Sequence, residues 1–170
     1  MKIRIRPETK KDIAKIRKIN AAAFDTEAEA DIVDSLRKSS ATIISLVAEV
    51  DGKLVGHILF SPVSLSGSRS KVKIAGLAPM AVLPEFQNKG IGSELVKQGL
   101  NRCVAKGFKA AVVLGHPDFY PRFGFEPAAK FGIKCEFDVP AEAFMIRELQ
   151  KDGLSGCRGT VQYHRSFRNL

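Results

Sequence analysis

The 170-residue chain has no tryptophan, two tyrosines, three histidines and three cysteines. Cys103, Cys135 and Cys157 are too few and too widely spaced for a zinc motif, and an odd count argues against a disulfide framework. Reduced thiols in a reducing compartment are expected, with Cys103 on an apolar helical stripe where it packs rather than reacts. Long apolar runs are missing too: Ile43 to Val50 and Ala110 to Leu114 fall far short of the ~18 residues that span a bilayer, so no transmembrane helix is expected. At the N-terminus Ile3 and Ile5 alternate with Lys2, Arg4 and Arg6, a strand pattern without the apolar core of a signal peptide, which points to the cytoplasm. Repeats, low-complexity tracts and linkers are also absent, so one α/β domain over residues 1–170 is the economical expectation. What is present is an average globular composition, 45% hydrophobic and 26% charged, enough to bury a core. Disordered, collagenous and coiled-coil classes are excluded.

Acidic residues are the scarcer sign, 18 against 27 Lys and Arg, for a net charge of +9. Such a surplus suggests an anionic partner: nucleic acid, a membrane surface or a phosphorylated cofactor. Most of it sits in residues 1–18, where Lys2, Arg4, Arg6, Lys10, Lys11, Lys15, Arg17 and Lys18 outnumber Glu8 and Asp12. An acidic stretch follows at once, Asp25, Glu27, Glu29, Asp31 and Asp34. The basic cluster contains none of the stacking rings that single-strand binding wants, so a solvated helix face is the preferred reading and nucleic acid is not the expected partner.

Thr9 and Asp12 form a T-x-x-D helix start, and Ile13, Ile16, Ile19 and Ala23 recur at helical spacing, predicting a helix over about 10–23. A short helix over 27–37 turns Ala28, Ile32, Val33 and Leu36 inward. Thr42 to Val50 is β-rich and runs into Asp51-Gly52, a dipeptide suited to a tight hairpin. The return strand covers about 53–65, Ser66-Gly67-Ser68 turns the chain, and a third strand follows over about 72–82, making an antiparallel meander. Beyond Pro84 a helix begins near Ile91, with Leu95, Val96, Leu100, Cys103 and Val104 on one face, and stops at Gly107. Ala110 to Leu114 predicts a buried strand, followed by a short helical turn through Phe119 and Tyr120, and Phe123-Gly124-Phe125 leads into another strand. Past Pro127 the pattern weakens: strands are expected over 133–139 and 159–163, with a helix or irregular stretch over 140–150 between them.

The chemistry concentrates in residues 80–95, a strand, a loop with Gly90 and Gly92, and a helix start. Such a segment exposes unpaired backbone N–H groups that cradle an anion, helped by the helix dipole and by Lys89. It is not a nucleotide P-loop, since no Gly-Lys-Ser/Thr follows, and it lacks the full G-x-G-x-x-G because position 95 is Leu.

Gln87-Asn-Lys-Gly90-Ile-Gly92, standing after Val82-Leu83-Pro84, resembles the Q/R-x-x-G-x-G/A signature of the GNAT superfamily of N-acetyltransferases. Downstream, Phe119-Tyr120-Pro121-Arg122-Phe123-Gly124-Phe125 resembles that family's F/Y-Y-x-x-x-G-F element. The resemblance covers about residues 2–127, leaving a C-terminal extension of about 128–170. Gly115 to Pro127 and the tail from Phe131 also look like the YhbS-like predicted N-acetyltransferases. The implied fold is a central, mostly antiparallel mixed sheet flanked by helices. The implied cosubstrate is acetyl-CoA, its pyrophosphate on Gln87, Asn88, Lys89, Gly90, Ile91, Gly92 and Ser93, and its pantetheine beside the backbone of Met80, Ala81 and Val82. The strands over about 75–82 and 110–114 would splay to admit the thioester.

The implied reaction is direct attack of a neutral amine on the thioester carbonyl, with a backbone N–H near Met80 or Ala81 facing the oxyanion. Tyr120 matches the family's general acid, and its alternative role is a core aromatic. Many relatives carry a glutamate on the strand before the loop, whereas residues 75–82 here hold no carboxylate. Glu49, His57 and His116 are the remaining base candidates, beside a water chain. The expected partners are acetyl-CoA and an amine of a small molecule or protein, with no metal and no membrane, and a homodimer is left open. A non-catalytic acyl-CoA sensor on the same fold is the competing reading.

Overall fold

The alternating isoleucines and basic residues of the N-terminus form strand β1, Ile3–Pro7. The structure, a computed structural model, describes residues 1–68 and 71–168. Contacts divide the chain into two units, one made of Met1–Ser61, Ala78–Gly99 and Ser166–Leu170, the other of Pro62–Leu77 and Leu100–Arg165.

In the first unit β1 pairs antiparallel with β2, Ile44–Val50, from Ile3↔Val50 to Pro7↔Leu46. The expected helix over 10–23 divides into a 3-10 turn at Lys10–Asp12 and helix α1, Ile13–Phe24. The Asp12 carboxylate accepts the Thr9 N–H at 2.7 Å and the Arg6 guanidinium at 2.7 Å, one half of the reciprocal cap that the T-x-x-D pattern predicts. Helix α2, Ala28–Lys38, buries Ala30, Ile32, Val33 and Leu36, with Ala28 only half-buried. Arg17 of α1 reaches Glu27, Asp31 and Asp34 at 2.8–2.9 Å, so three residues of the acidic stretch are spent locally on joining α1 to α2. Lys2, Arg4, Lys10, Lys11, Lys15 and Lys18 remain exposed, in keeping with a solvated basic face.

The hairpin from β2 into β3, Lys53–Ser66, turns on Asp51 and Gly52 with φ of 50° and 82°, the two left-handed residues such a turn requires. Strand β4, Ile74–Val82, follows β3 in the strand order and leads to helix α3, Ile91–Ala105. The α3 residues Ile91, Leu95, Val96, Leu100 and Cys103 are buried as the stripe predicts, but Val104 is 43% exposed. At the far edge of that stripe, Val104 is carried out of the buried face by the 3.6-residue period.

In the second unit β5, Ala110–Leu114, runs parallel to β4 from Ile74↔Ala110 to Leu77↔Val113. Pro79, which has no N–H to give a neighbouring strand, follows shortly after that register. Short strand β6, Glu126–Pro127, and β7, Ile133–Cys135, come next, β7 being shorter than the strand expected over 133–139. Residues 140–150 were expected as helix or irregular chain, and instead Phe144–Glu148 form β8, antiparallel to both β5 and β6. Paired on both sides, β8 has Phe144, Met145 and Ile146 all buried, so it lacks the alternation by which a strand is recognised. Strand β9, Gly159–Gln162, lies parallel to β7 and antiparallel to the end of β3. Of these registered pairings, β4 with β5 and β7 with β9 are parallel and the rest antiparallel. Of the extension expected over about 128–170, residues 128–165 fall within the second unit. Among the described residues no helix is long and apolar enough to cross a membrane.

Gly99 of α3 lies against the buried Phe60 of β3, where an added Cβ would stand 2.3 Å from Phe60 Cε2. Replacing Gly by Ala ordinarily favours a helix by about 1 kcal/mol. Here the buried ring blocks the methyl, so Gly99→Ala is expected to destabilise by roughly 1–3 kcal/mol in urea unfolding. A stabilised variant would refute the packing argument.

Candidate active site

Strand β4 reaches α3 through residues 83–90. Leu83 donates its N–H to the Val55 carbonyl of β3 at 2.9 Å, and Pro84–Phe86 form a 3-10 turn. Gln87, Asn88, Lys89 and Gly90 are exposed. Asn88 and Gly90 have φ of 61° and 85°, and a Cβ on Gly90 would meet nothing within 4 Å, so open space lies over this backbone. The first helical bond of α3 runs from the Glu94 N–H to the Gly90 carbonyl at 3.1 Å. The N–H groups of Ile91, Gly92 and Ser93 therefore stand ahead of the helix ladder, at the positive end of its dipole. Gln87 ties the loop back to the strand, its Nε2 donating to the Val82 carbonyl at 3.0 Å. Met80 and Val82 are half-buried, Ala81 is buried, and all three lie beyond the β4 residues in register with β5. The segment can hold an anion on main-chain donors, with Lys89 adding one cation.

In the second unit, Gly115 and His116 leave β5 and lead to a 3-10 turn at Tyr120–Phe123. The exposed His116 anchors that turn by its carbonyl, which accepts the N–H groups of Phe119 at 3.1 Å and Tyr120 at 3.4 Å. Tyr120 is 8% exposed, edge-on to Phe119 at 5.0 Å and to Phe125 at 5.7 Å between centroids. Burial pushes its phenol up to about 12, so it holds its proton throughout the neutral range. Its ring lies on the backbone of Gly115, where a Cβ would stand 2.2 Å from Tyr120 Cε2.

Of the base candidates, Glu49 is engaged by Arg6 at 2.6 Å and Arg4 at 4.0 Å, within a network in which Arg6 also holds Asp12. The Arg6 guanidinium holds the Asp12 carboxyl well below the usual carboxylate range. His57 is fully buried in β3 between two polar side chains. Asn20 Nδ2 faces the Ile16 carbonyl at 3.1 Å, which fixes the amide orientation, and the same nitrogen donates to His57 Nδ1 at 3.2 Å. The imidazole proton is thereby assigned to Nε2, which donates to Ser45 Oγ at 2.9 Å. Burial, then the Arg37 charge, lowers its pKa to about 3. The superficially nucleophilic Ser–His pair has its proton on the wrong side to activate the serine, and works as a neutral core link between α1, β2 and β3. Among the described residues no cluster of His, Cys, Asp and Glu could hold a metal ion.

A family model described as an acetyltransferase (GNAT) domain matches residues 4–128. The chain belongs to the GNAT acetyltransferase family. It is 36% identical over 167 residues to the uncharacterized N-acetyltransferase YhbS of Escherichia coli K12, covering 98% of this chain and 99% of that one. It is 39% identical over 136 residues to YjhQ of the same strain, another uncharacterized N-acetyltransferase, covering 78% of this chain and 75% of that protein. The crystal structure of the Escherichia coli YhbS protein in complex with CoA superposes with a TM-score of 0.93 at 35% identity, over 99% of this chain and 93% of that one. A GNAT acetyltransferase from Brucella melitensis in complex with acetyl-CoA gives 0.81 at 36% identity, over 98% of both chains. The GNAT fold expected from the two motifs is therefore the fold of this protein. The motifs did not reveal the Gln87 side-chain tie or the packing of Gly115 under Tyr120; both depend on which atoms meet after folding.

The His57 link predicts a pH dependence of stability. An unfolded imidazole takes up a proton near pH 6.5 while the folded one stays neutral down to about 3, so this contribution is complete above pH 6.5 and is lost as pH falls through that window. Between about pH 7 and about pH 5 the wild type should lose roughly 2 kcal/mol more than His57→Gln in urea titrations. Parallel pH profiles for the two proteins would contradict the buried neutral assignment.

Proposed function

We propose that the whole chain works as one N-acetyltransferase domain, transferring acetyl from acetyl-CoA to an amine of a small molecule or protein by direct attack. The observation that carries this is the loop of residues 87–90, with Asn88 and Gly90 left-handed and three helix amides ahead of the α3 ladder. A pyrophosphate needs several N–H donors and positive potential in open space, and this segment supplies them. Gln87 through Ser93 would hold the pyrophosphate, and the backbone of Met80, Ala81 and Val82 the pantetheine arm. Bound acetyl-CoA supplies the thioester that an amine attacks.

The chain's own residues then divide the work. A backbone N–H at Met80 or Ala81 is assigned to the developing oxyanion, where one preorganised donor is worth about 10²–10³ in rate. Tyr120, a phenol protonated at neutral pH and held more firmly so by burial, is assigned as the donor of a proton to the leaving thiolate. Gly115 keeps the phenol in place by leaving room for its ring. Glu49 is committed to Arg6 and His57 is a neutral donor, so neither is offered as the base. His116 is exposed and is retained as a candidate beside water. The three free cysteines agree with a reducing compartment, the cytoplasm in our reading.

Thiol release from acetyl-CoA, measured across a panel of small amines, peptides and aminoglycosides, tests the activity. Release with one acceptor class supports the transferase, whereas CoA binding with no release under any acceptor supports the sensor. Tyr120→Phe should bind CoA as the wild type does and lose about 10²-fold or more in kcat. Gly115→Ala should follow it in kcat with the KM for acetyl-CoA little changed. Wild-type turnover in Tyr120→Phe would remove the tyrosine from the mechanism.

A further inference from the structure

Phe86, half-buried in the 3-10 turn before the loop, carries two lysines on its ring: Lys53 Nζ lies 5.2 Å from the centroid and Lys89 Nζ 5.5 Å. Lys89 belongs to the loop, but Lys53 comes from the start of β3, where it faces Val50 across the hairpin. The bond from the Leu83 N–H to the Val55 carbonyl brings this end of β3 against the start of the loop. Both lysines are exposed, and the ion pairs found among the described residues include neither. Glu85 of the same turn and Asp51 of the hairpin thus leave both ammonium groups unneutralised. Each ammonium is drawn to the ring by cation–π attraction, so Phe86 gathers two cations at the entrance to the loop, and cations gathered there favour an anion.

We infer that Lys53, together with Lys89, forms a phosphate subsite beside the pyrophosphate loop that takes the 3′-phosphate of CoA. This rests on the acetyl-CoA reading and adds to it a residue outside the glycine motif. The pyrophosphate has the main-chain amides of residues 91–93 for donors, so the pair of cations beside them suits a further, doubly charged phosphoryl group. Lys53 then contributes to the choice of CoA over its dephospho form and not to the chemical step.

The test is calorimetric binding of CoA and of dephospho-CoA to the full chain at low and moderate salt. Wild type should prefer CoA by about tenfold at low salt, with the preference shrinking as salt is added. Lys53→Met should reduce the ratio to about threefold or less by weakening CoA alone, and Lys53→Arg should restore it. An unchanged ratio in Lys53→Met overturns the inference, and so does equal weakening of both ligands, which would put Lys53 on the pyrophosphate or in the fold. Should Lys53→Met fail to fold, Lys53→Gln with its thermal melt takes its place. Failure of the wild type to bind either ligand would instead defeat the acetyl-CoA reading, whereas binding of both with no preference defeats only the subsite.

Discussion

Helix α3 rests on β3 through two glycines, and the loop's geometry follows from that contact. A Cβ on Gly56 would come within 3.1 Å of Leu95 and 3.3 Å of Ile91, and one on Gly99 within 2.3 Å of Phe60. With no side chain at either place, the helix lies close against the strand and buries Ile91, Leu95 and Val96. A helix is stiff, so fixing these residues also fixes the amides at its first turn. The apolar contact sets the position; the N–H groups ahead of Glu94 supply the donors of the proposed pyrophosphate site.

The charge surplus is organised differently. Arg6, Arg17 and Arg37 are paired with Glu8, Asp12, Glu27, Asp31, Asp34 and Glu49, joining β1, β2, α1 and α2. These guanidinium groups are structural, and the exposed lysines of residues 2–18 remain a solvated face. In the function proposed above, the pyrophosphate falls to neutral backbone amides, whose contribution does not appear in net charge. The buried His57 of the first unit is likewise neutral, because desolvation makes a charged imidazole too costly there.

Much of this was legible in the order of residues. The Asp51-Gly52 hairpin, the inward face of α2 and the start of α3 at Ile91 are local features, set by φ preference and by helical period. The glycine loop and the Phe119–Phe125 element were legible for the same reason: their residues are consecutive. Strand β8 was not, because a strand paired on both edges and buried on both faces loses its alternation. The role of Glu49 was also hidden, since its partner Arg6 lies 43 positions away and meets it only through the β1–β2 register.

The sequence alone determined the family, most of the elements and the segment proposed to receive the cofactor, since turn chemistry, periodicity and a contiguous motif are properties of neighbours along the chain. Tertiary structure decided which charges are free and which are spent. It set the imidazole of His57 as a neutral donor between Asn20 and Ser45, placed the Tyr120 ring on the bare backbone of Gly115, and brought Lys53 onto the ring of Phe86 beside Lys89. Each is a meeting of groups from separate elements, where desolvation and close packing act across space and leave no pattern in the order of residues.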